Sequence, residues 1–259
     1  MNLKKKIITL AKSLGIEILR IADPLILKNT LDHKLSLLKD NKIPESEKWF
    51  IENIIRSVNP ALHLQVVKSV IVCALPVNNA DKNIKYPFAK IAPFARCDYY
   101  CHLKEKLKKI AEQIKKNFRP DLLYKVFSNG PLSEKPFAQI SGLGFYGKNS
   151  IIYTKKYGSF IVLGLMLTNM DLKPDKPLNS DCGECEICIR SCPVNAIEKP
   201  YVVNHSKCIQ YIMEKDVEPD MNILEHFRNS FYGCAICQDV CPRNKSIKVR
   251  KKYPDIGKC

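Results

Sequence analysis

The sequence has no apolar run near the roughly 18–20 residues that a membrane-spanning helix needs. A secretory leader is not expected. The opening Met-Asn-Leu-Lys-Lys-Lys carries the right charge, but Lys12 interrupts the apolar stretch that follows, and no small-residue cleavage site appears. Without export there is no oxidising compartment, so the 12 cysteines are not read as disulfides. Low-complexity tracts are missing. Histidine is sparse, and His102, His205 and His226 stand singly, without ligand spacing. The lone tryptophan, Trp49, and its neighbour Phe50 read as helix packing rather than as a base-stacking platform. Acidic side chains are outnumbered, 26 against 42 basic ones, for a net charge of +16. That balance leaves a nucleic-acid partner and a lysine-rich solvated surface equally open.

What is present is sulfur in a fixed order. Cys182-x-x-Cys185-x-x-Cys188-x-x-x-Cys192-Pro193 has the bacterial ferredoxin spacing, in which three thiolates hold one iron–sulfur cubane and the fourth reaches another. Cys234-x-x-Cys237-x-x-x-Cys241-Pro242 repeats the ending with three cysteines, and Cys208 between the runs supplies the eighth thiolate. The crossing rule assigns Cys182, Cys185, Cys188 and Cys241 to one [4Fe–4S] cluster. It assigns Cys192, Cys208, Cys234 and Cys237 to the other. Zinc sites use C-x-x-C pairs separated by a longer gap, which these runs do not match. Of the remaining cysteines, Cys73 lies in an expected core strand, Cys97 and Cys101 could share a helix face, and Cys259 is terminal.

Before the cysteines, periodicity predicts a helix over 3–14, ended by Gly15, and a strand over 16–22. Helices are expected over 25–57, a buried strand over 66–75, a loop over 77–93 and a basic helix over 103–116. A strand over 122–127, a short helix over 133–140, and strands over 150–154 and 159–168 joined by a hairpin turn complete the list. The fold class is therefore α+β, with a mixed or antiparallel sheet covered by helices, followed by a ferredoxin-like domain. The divisions are 1–176, 177–246 and a basic tail at 247–259. The block Gly142-Leu-Gly144-Phe-Tyr-Gly147-Lys148-Asn149 matches G-x-G-x-x-G, but a helix precedes it and a strand follows. That is the reverse of the dinucleotide context, so its glycines are read as admitting a large ligand or another chain segment.

The order of motifs resembles the epoxyqueuosine reductase family. The resemblance rests on Phe94-Ala-Arg96 with Asp98-Tyr99, on Gly130-Pro131 with Glu134, on the glycine block 142–149 and on both cysteine runs with Cys208. It implies a two-cluster wire feeding a cobalamin held by the N-terminal domain, which reduces an epoxide in tRNA. On that basis Arg96, Gly142, Gly144, Gly147, Lys148 and Asn149 are the corrin-binding candidates, and Asp98 and Ser128 the catalytic ones. Ser128 stands where the family has an aspartate that looks like the proton donor, and a serine hydroxyl is a poor acid near neutral pH. Asp98 or a water is the expected substitute. The implied setting is a cytoplasmic monomer with a flavodoxin- or ferredoxin-type electron donor and tRNA on its basic surface. The resemblance is to a short form, ending in the basic residues Lys248, Arg250, Lys251 and Lys252.

Overall fold

The computed structural model describes residues 2–43, 53–77, 90–215, 220–227, 230–245 and 247. Trp49, most of the expected loop at 77–93 and the basic tail fall outside them. The centre is a four-stranded sheet in the order β1 (Ile18–Ala22), β2 (Ser69–Pro76), β7 (Ile161–Thr168), β4 (Tyr124–Phe127). All three pairings are antiparallel. Every residue of β2 is buried, as a central strand covered on both faces requires.

Its side chains alternate between two cores. Ile71, Cys73 and Leu75 face α1 (Leu3–Ser13) and α3 (Tyr99–Asn117), while Val70, Val72 and Ala74 face α4 (Glu134–Ile140). α3 buries Leu103, Leu107, Ile110 and Ile114, the i, i+4, i+7, i+11 stripe of an amphipathic helix. Each such side chain contributes roughly 1.5–3 kcal/mol on burial. Gly164 of β7 lets α3 approach, because a Cβ there would lie 2.8 Å from Leu103 and 2.9 Å from Leu107. The helix begins earlier than expected, since Asp98 caps it by accepting from the Cys101 amide at 2.9 Å. α2 (Lys28–Lys39) covers part of the expected helical stretch.

One expectation needs correction. The strands on either side of residues 155–158 do not form a hairpin. β6 (Ile152–Tyr153) pairs with β5 (Phe145–Tyr146), whereas β7 enters the central sheet. Only a Thr154–Gly158 bridge marks the turn. Thr154 is buried and its hydroxyl donates to the Gly158 carbonyl at 3.1 Å across that turn, but β7 is already paired on both edges, by β2 and β4, which leaves no edge for β6.

The cysteine segment is pinned onto this core. β3 (Lys90–Ile91) pairs in parallel with β8 (Ser230–Tyr232). Asn244 accepts from the Ser159 amide at 3.0 Å and donates to the Ser159 hydroxyl and to the Gln238 carbonyl, each at 2.8 Å. Tyr201 N–H donates to the Lys148 carbonyl at 2.9 Å. The Lys42 ammonium pairs with Glu198 at 2.8 Å.

Candidate cluster pair and cleft

The eight cysteines sit on short helices and turns. Cys182 and Cys185 lie on the turn before α5 (Ile187–Arg190), Cys188 within it and Cys192 just after it. Cys208 precedes α6 (Ile209–Lys215), and Cys237 lies on α7 (Ile236–Asp239), which packs against α5. Asp181 accepts from the Gly183 amide at 2.8 Å, and Gly183 adopts a left-handed φ of 53°, which tightens the first turn.

The thiols gather in two sets. Burial raises the Cys188 pKa, and the Cys182, Cys241 and Cys185 thiols around it add to the rise. Burial pushes Cys234 to about 11, with Cys208 and Cys192 beside it. Cys237 is pushed to about 12 by burial, then by Cys234, Cys208 and, across the gap, Cys188. These neighbourhoods group Cys188 with Cys182, Cys185 and Cys241, and Cys234 with Cys192 and Cys208. They also bring the sets side by side. Cys192 Sγ accepts from the Ala196 amide at 3.2 Å, and backbone amides of Tyr211 and Gln210 point at Cys208. N–H donors aimed at sulfur suit ligands that carry charge when metallated. Among the described residues no disulfide competes for these thiols.

The two sets are not equivalent. Cys192, Cys208, Cys234 and Cys237 all line a cavity of about 440 Å³, together with Phe94, Tyr100, Asn129 and Asn149 from the N-terminal half. The first set lines neither this cavity nor its neighbour. That neighbour, about 650 Å³, is bounded by α2, by Glu134 and by Phe145 and Tyr146. The two meet at Lys135 and Ser150. The first cavity includes the space between the four inner thiols that a cluster would fill, and the second, within the roughly 300–1,000 Å³ range of drug-sized pockets, offers room for a ligand beside it.

The other site candidates take separate places. Asn149 lines the first cavity and donates through Nδ2 to the Tyr153 hydroxyl at 3.1 Å. Gly142, Gly144 and Gly147 line neither cavity, and their missing Cβ positions are filled by the chain itself. A Cβ on Gly144 would lie 2.6 Å from Ile152 and 2.7 Å from the Tyr153 carbonyl. A Cβ on Gly147 would lie 2.5 Å from the Tyr153 ring. Of the two roles expected for the glycine block, close approach of another chain segment is the one seen. Lys148 turns toward Glu186 at 3.7 Å, on the cysteine segment. Arg96 donates from Nε to the Ile91 carbonyl at 3.2 Å. Asp98 is the exposed cap of α3. Ser128 is 3% exposed and donates to the Leu163 carbonyl at 2.7 Å, so its hydroxyl is committed to the sheet.

The geometry adds groups that the sequence reading gave no role. Asn129, in a left-handed conformation at φ 52°, lines the first cavity. Glu134 accepts from the Gly130 amide at 3.1 Å, and burial lifts its carboxyl to about 7. The Lys34 ammonium donates to Ser57 at 2.6 Å and Ser133 at 2.9 Å, and burial lowers it to about 8. Asn129-Gly130 is a left-handed turn signal visible in sequence. Nothing local marks the two charged residues as facing a cavity.

Fold and thiol geometry define an iron–sulfur protein whose double-cluster segment is docked on an antiparallel α+β domain. Residues 181–244 match the 4Fe-4S double cluster binding domain. An epoxyqueuosine reductase of Prochlorococcus marinus (strain NATL2A) is 36% identical over 203 residues, 74% of this chain and 62% of that protein. One from Cellulophaga algicola is 33% identical over 238 residues, 84% of this chain and 76% of that protein. The chain belongs to the epoxyqueuosine reductase family. It spans less than two thirds of the Prochlorococcus relative's length. A crystal structure of an epoxyqueuosine reductase with an epoxyqueuosine-modified tRNA-Tyr stem loop superposes with a TM-score of 0.84 at 28% identity, covering 98% of this chain and 68% of that one. A structure said to suggest a mechanism for B12-dependent dehalogenation shares the fold, with a TM-score of 0.51 at 13% identity over 94% of this chain and 32% of that one. No helix among the described residues is long and apolar enough to cross a membrane.

Proposed function

We propose that this chain reduces an epoxide on a tRNA nucleoside, epoxyqueuosine, to the alkene, passing electrons through two [4Fe–4S] clusters to a cobalamin in the cleft. The observation that carries the reading is the cavity of about 440 Å³, whose walls are the second cysteine set on one side and the N-terminal domain on the other. Electrons arriving at the half-exposed first set would reach the cleft only through the second.

The ligands are Cys182, Cys185, Cys188 and Cys241 for the outer cluster, and Cys192, Cys208, Cys234 and Cys237 for the inner one. Cobalamin, when bound, would supply the strongly reducing metal centre that epoxide reduction needs, chemistry that belongs to the cofactor. The chain's residues do the remaining work. Phe94, Tyr100 and Asn149 shape the first cavity and keep bulk water from the reacting centre. Turning an epoxide into an alkene takes two electrons and two protons and releases one water. With Ser128 bonded to Leu163 and Asp98 capping a helix, Glu134 is the acidic group placed to hold a proton beside the cleft. A carboxyl near 7 is matched to proton transfer at neutral pH. The same reading divides the chain at 176/177 and sets it, as a monomer, in a reducing cytoplasm. A flavodoxin- or ferredoxin-type protein is the electron donor, and tRNA lies against the basic surface.

The test is anaerobic reconstitution followed by cobalamin titration. About eight irons per chain, a corrin absorption change at micromolar cobalamin and restored queuosine in reductase-deficient cells are expected. Eight irons without any corrin response would leave only an electron-transfer protein.

A further inference from the structure

We propose that Lys135 is the fixed counter-charge of the inner cluster, and that its ammonium raises that cluster's reduction potential so that electrons fall from the outer cluster toward the cleft. This rests on the two-cluster reading.

Lys135 lies on α4, is exposed, and lines both cavities where they meet, the first of them together with all four inner cysteines. Its Nζ donates to the Ser150 carbonyl at 3.1 Å, which holds the side chain in place. Desolvation by the atoms packed around its ammonium lowers its pKa, while Glu134, the Cys208 and Cys237 sulfurs and Glu214 pull it back up. Two of those four partners are ligands of the inner set. A reduced cluster carries one more negative charge than an oxidised one. A cation held near its sulfurs therefore favours the reduced form.

Around the outer set the charges are mixed: Asp181, Glu184 and Glu186 are interleaved with Cys182 and Cys185, while Arg243 donates to the Asp181 carbonyl and Lys148 pairs with Glu186 at 3.7 Å. The direction of the wire therefore rests on Lys135: a raised inner cluster, with the cleft beyond.

The experiment uses the full chain, reconstituted anaerobically, as wild type and as Lys135→Gln, Lys135→Arg and Glu214→Gln. Each is titrated with dithionite at controlled potential while the two clusters are followed by electron paramagnetic resonance. Lys135→Gln should move the reduced-to-oxidised ratio of one cluster about tenfold toward oxidised at a fixed potential, equivalent to about 59 mV for a one-electron couple. Lys135→Arg should keep the wild-type ratio, and Glu214→Gln should move the same cluster the other way. Iron loss in Lys135→Gln but not in Lys135→Arg would also support a counter-charge. Unchanged ratios in Lys135→Gln, or iron loss in both Lys135 variants, would overturn it. A wild-type chain with fewer than about eight irons would instead sink the two-cluster reading itself, separately from Lys135.

Discussion

Gly158→Ala tests how the cysteine segment is held. Gly158 has a φ of +55°, a region that costs a residue with a Cβ about 1–2 kcal/mol. The added methyl would sit 3.2 Å from Asn244 Cγ and closer still to its Oδ1. Asn244 is 2% exposed and makes three hydrogen bonds, to the Ser159 amide, the Ser159 hydroxyl and the Gln238 carbonyl. Displacing it sacrifices about 1 kcal/mol for each bond lost. If two are lost, the sum is about 3–4 kcal/mol. At about 2–4 °C per kcal/mol for a chain this size, the thermal midpoint should fall by roughly 6–16 °C. Asn244 follows Cys241 by three residues, so the shift carries the outer cluster's fourth ligand with it. Iron should fall from about eight toward about four per reconstituted chain. Calorimetry and iron analysis of the variant beside Ser159→Ala, which removes one side chain from the network without the clash, read both effects. A Gly158→Ala protein with a wild-type midpoint and eight irons would refute the reasoning.

Cys208→Ala should lower iron toward about four per chain, while Cys73→Ala should keep all of it, because Cys73 is fully buried in the sheet core; colorimetric iron analysis separates them. Glu134 has a folded pKa near 7, above its ordinary 4.5. Its favourable contribution is complete below pH 4.5 and is lost as pH rises through 7, a loss of at most about 3 kcal/mol. Glu134→Gln, which still accepts from Gly130, should flatten that slope in thermal midpoints taken between pH 5 and 8. Ser128→Asp would set a carboxylate against the Leu163 carbonyl, which now accepts from the hydroxyl at 2.7 Å. Only the protonated acid can donate there, so its pKa rises and stability falls with increasing pH. Denaturant midpoints should show a loss of about 1–3 kcal/mol at pH 7, shrinking toward acid pH.

The sulfur inventory, the four central strands and the sheet-covering helices were legible from residue order alone. Ligand spacing and hydrophobic period are local properties, and a few residues of chain carry each. Cys73 reads as inert from its β-branched surroundings, and the structure buries it fully. The hairpin at 155–158 failed because strand pairing is decided by distant partners. β7 is claimed by β2 along eight positions, so β6 turns to β5 instead. The glycine block was recognisable as a place of close approach, but what approaches it, β6 and the segment around Lys176, is set by packing. Which cysteine set looks into the cleft, that Ser128 spends its hydroxyl on a carbonyl, and that Lys135 stands where two cavities meet are all decided by the tertiary structure. Facing, burial and electrostatic neighbourhood arise only when segments far apart in the chain are brought together, and no local pattern encodes them.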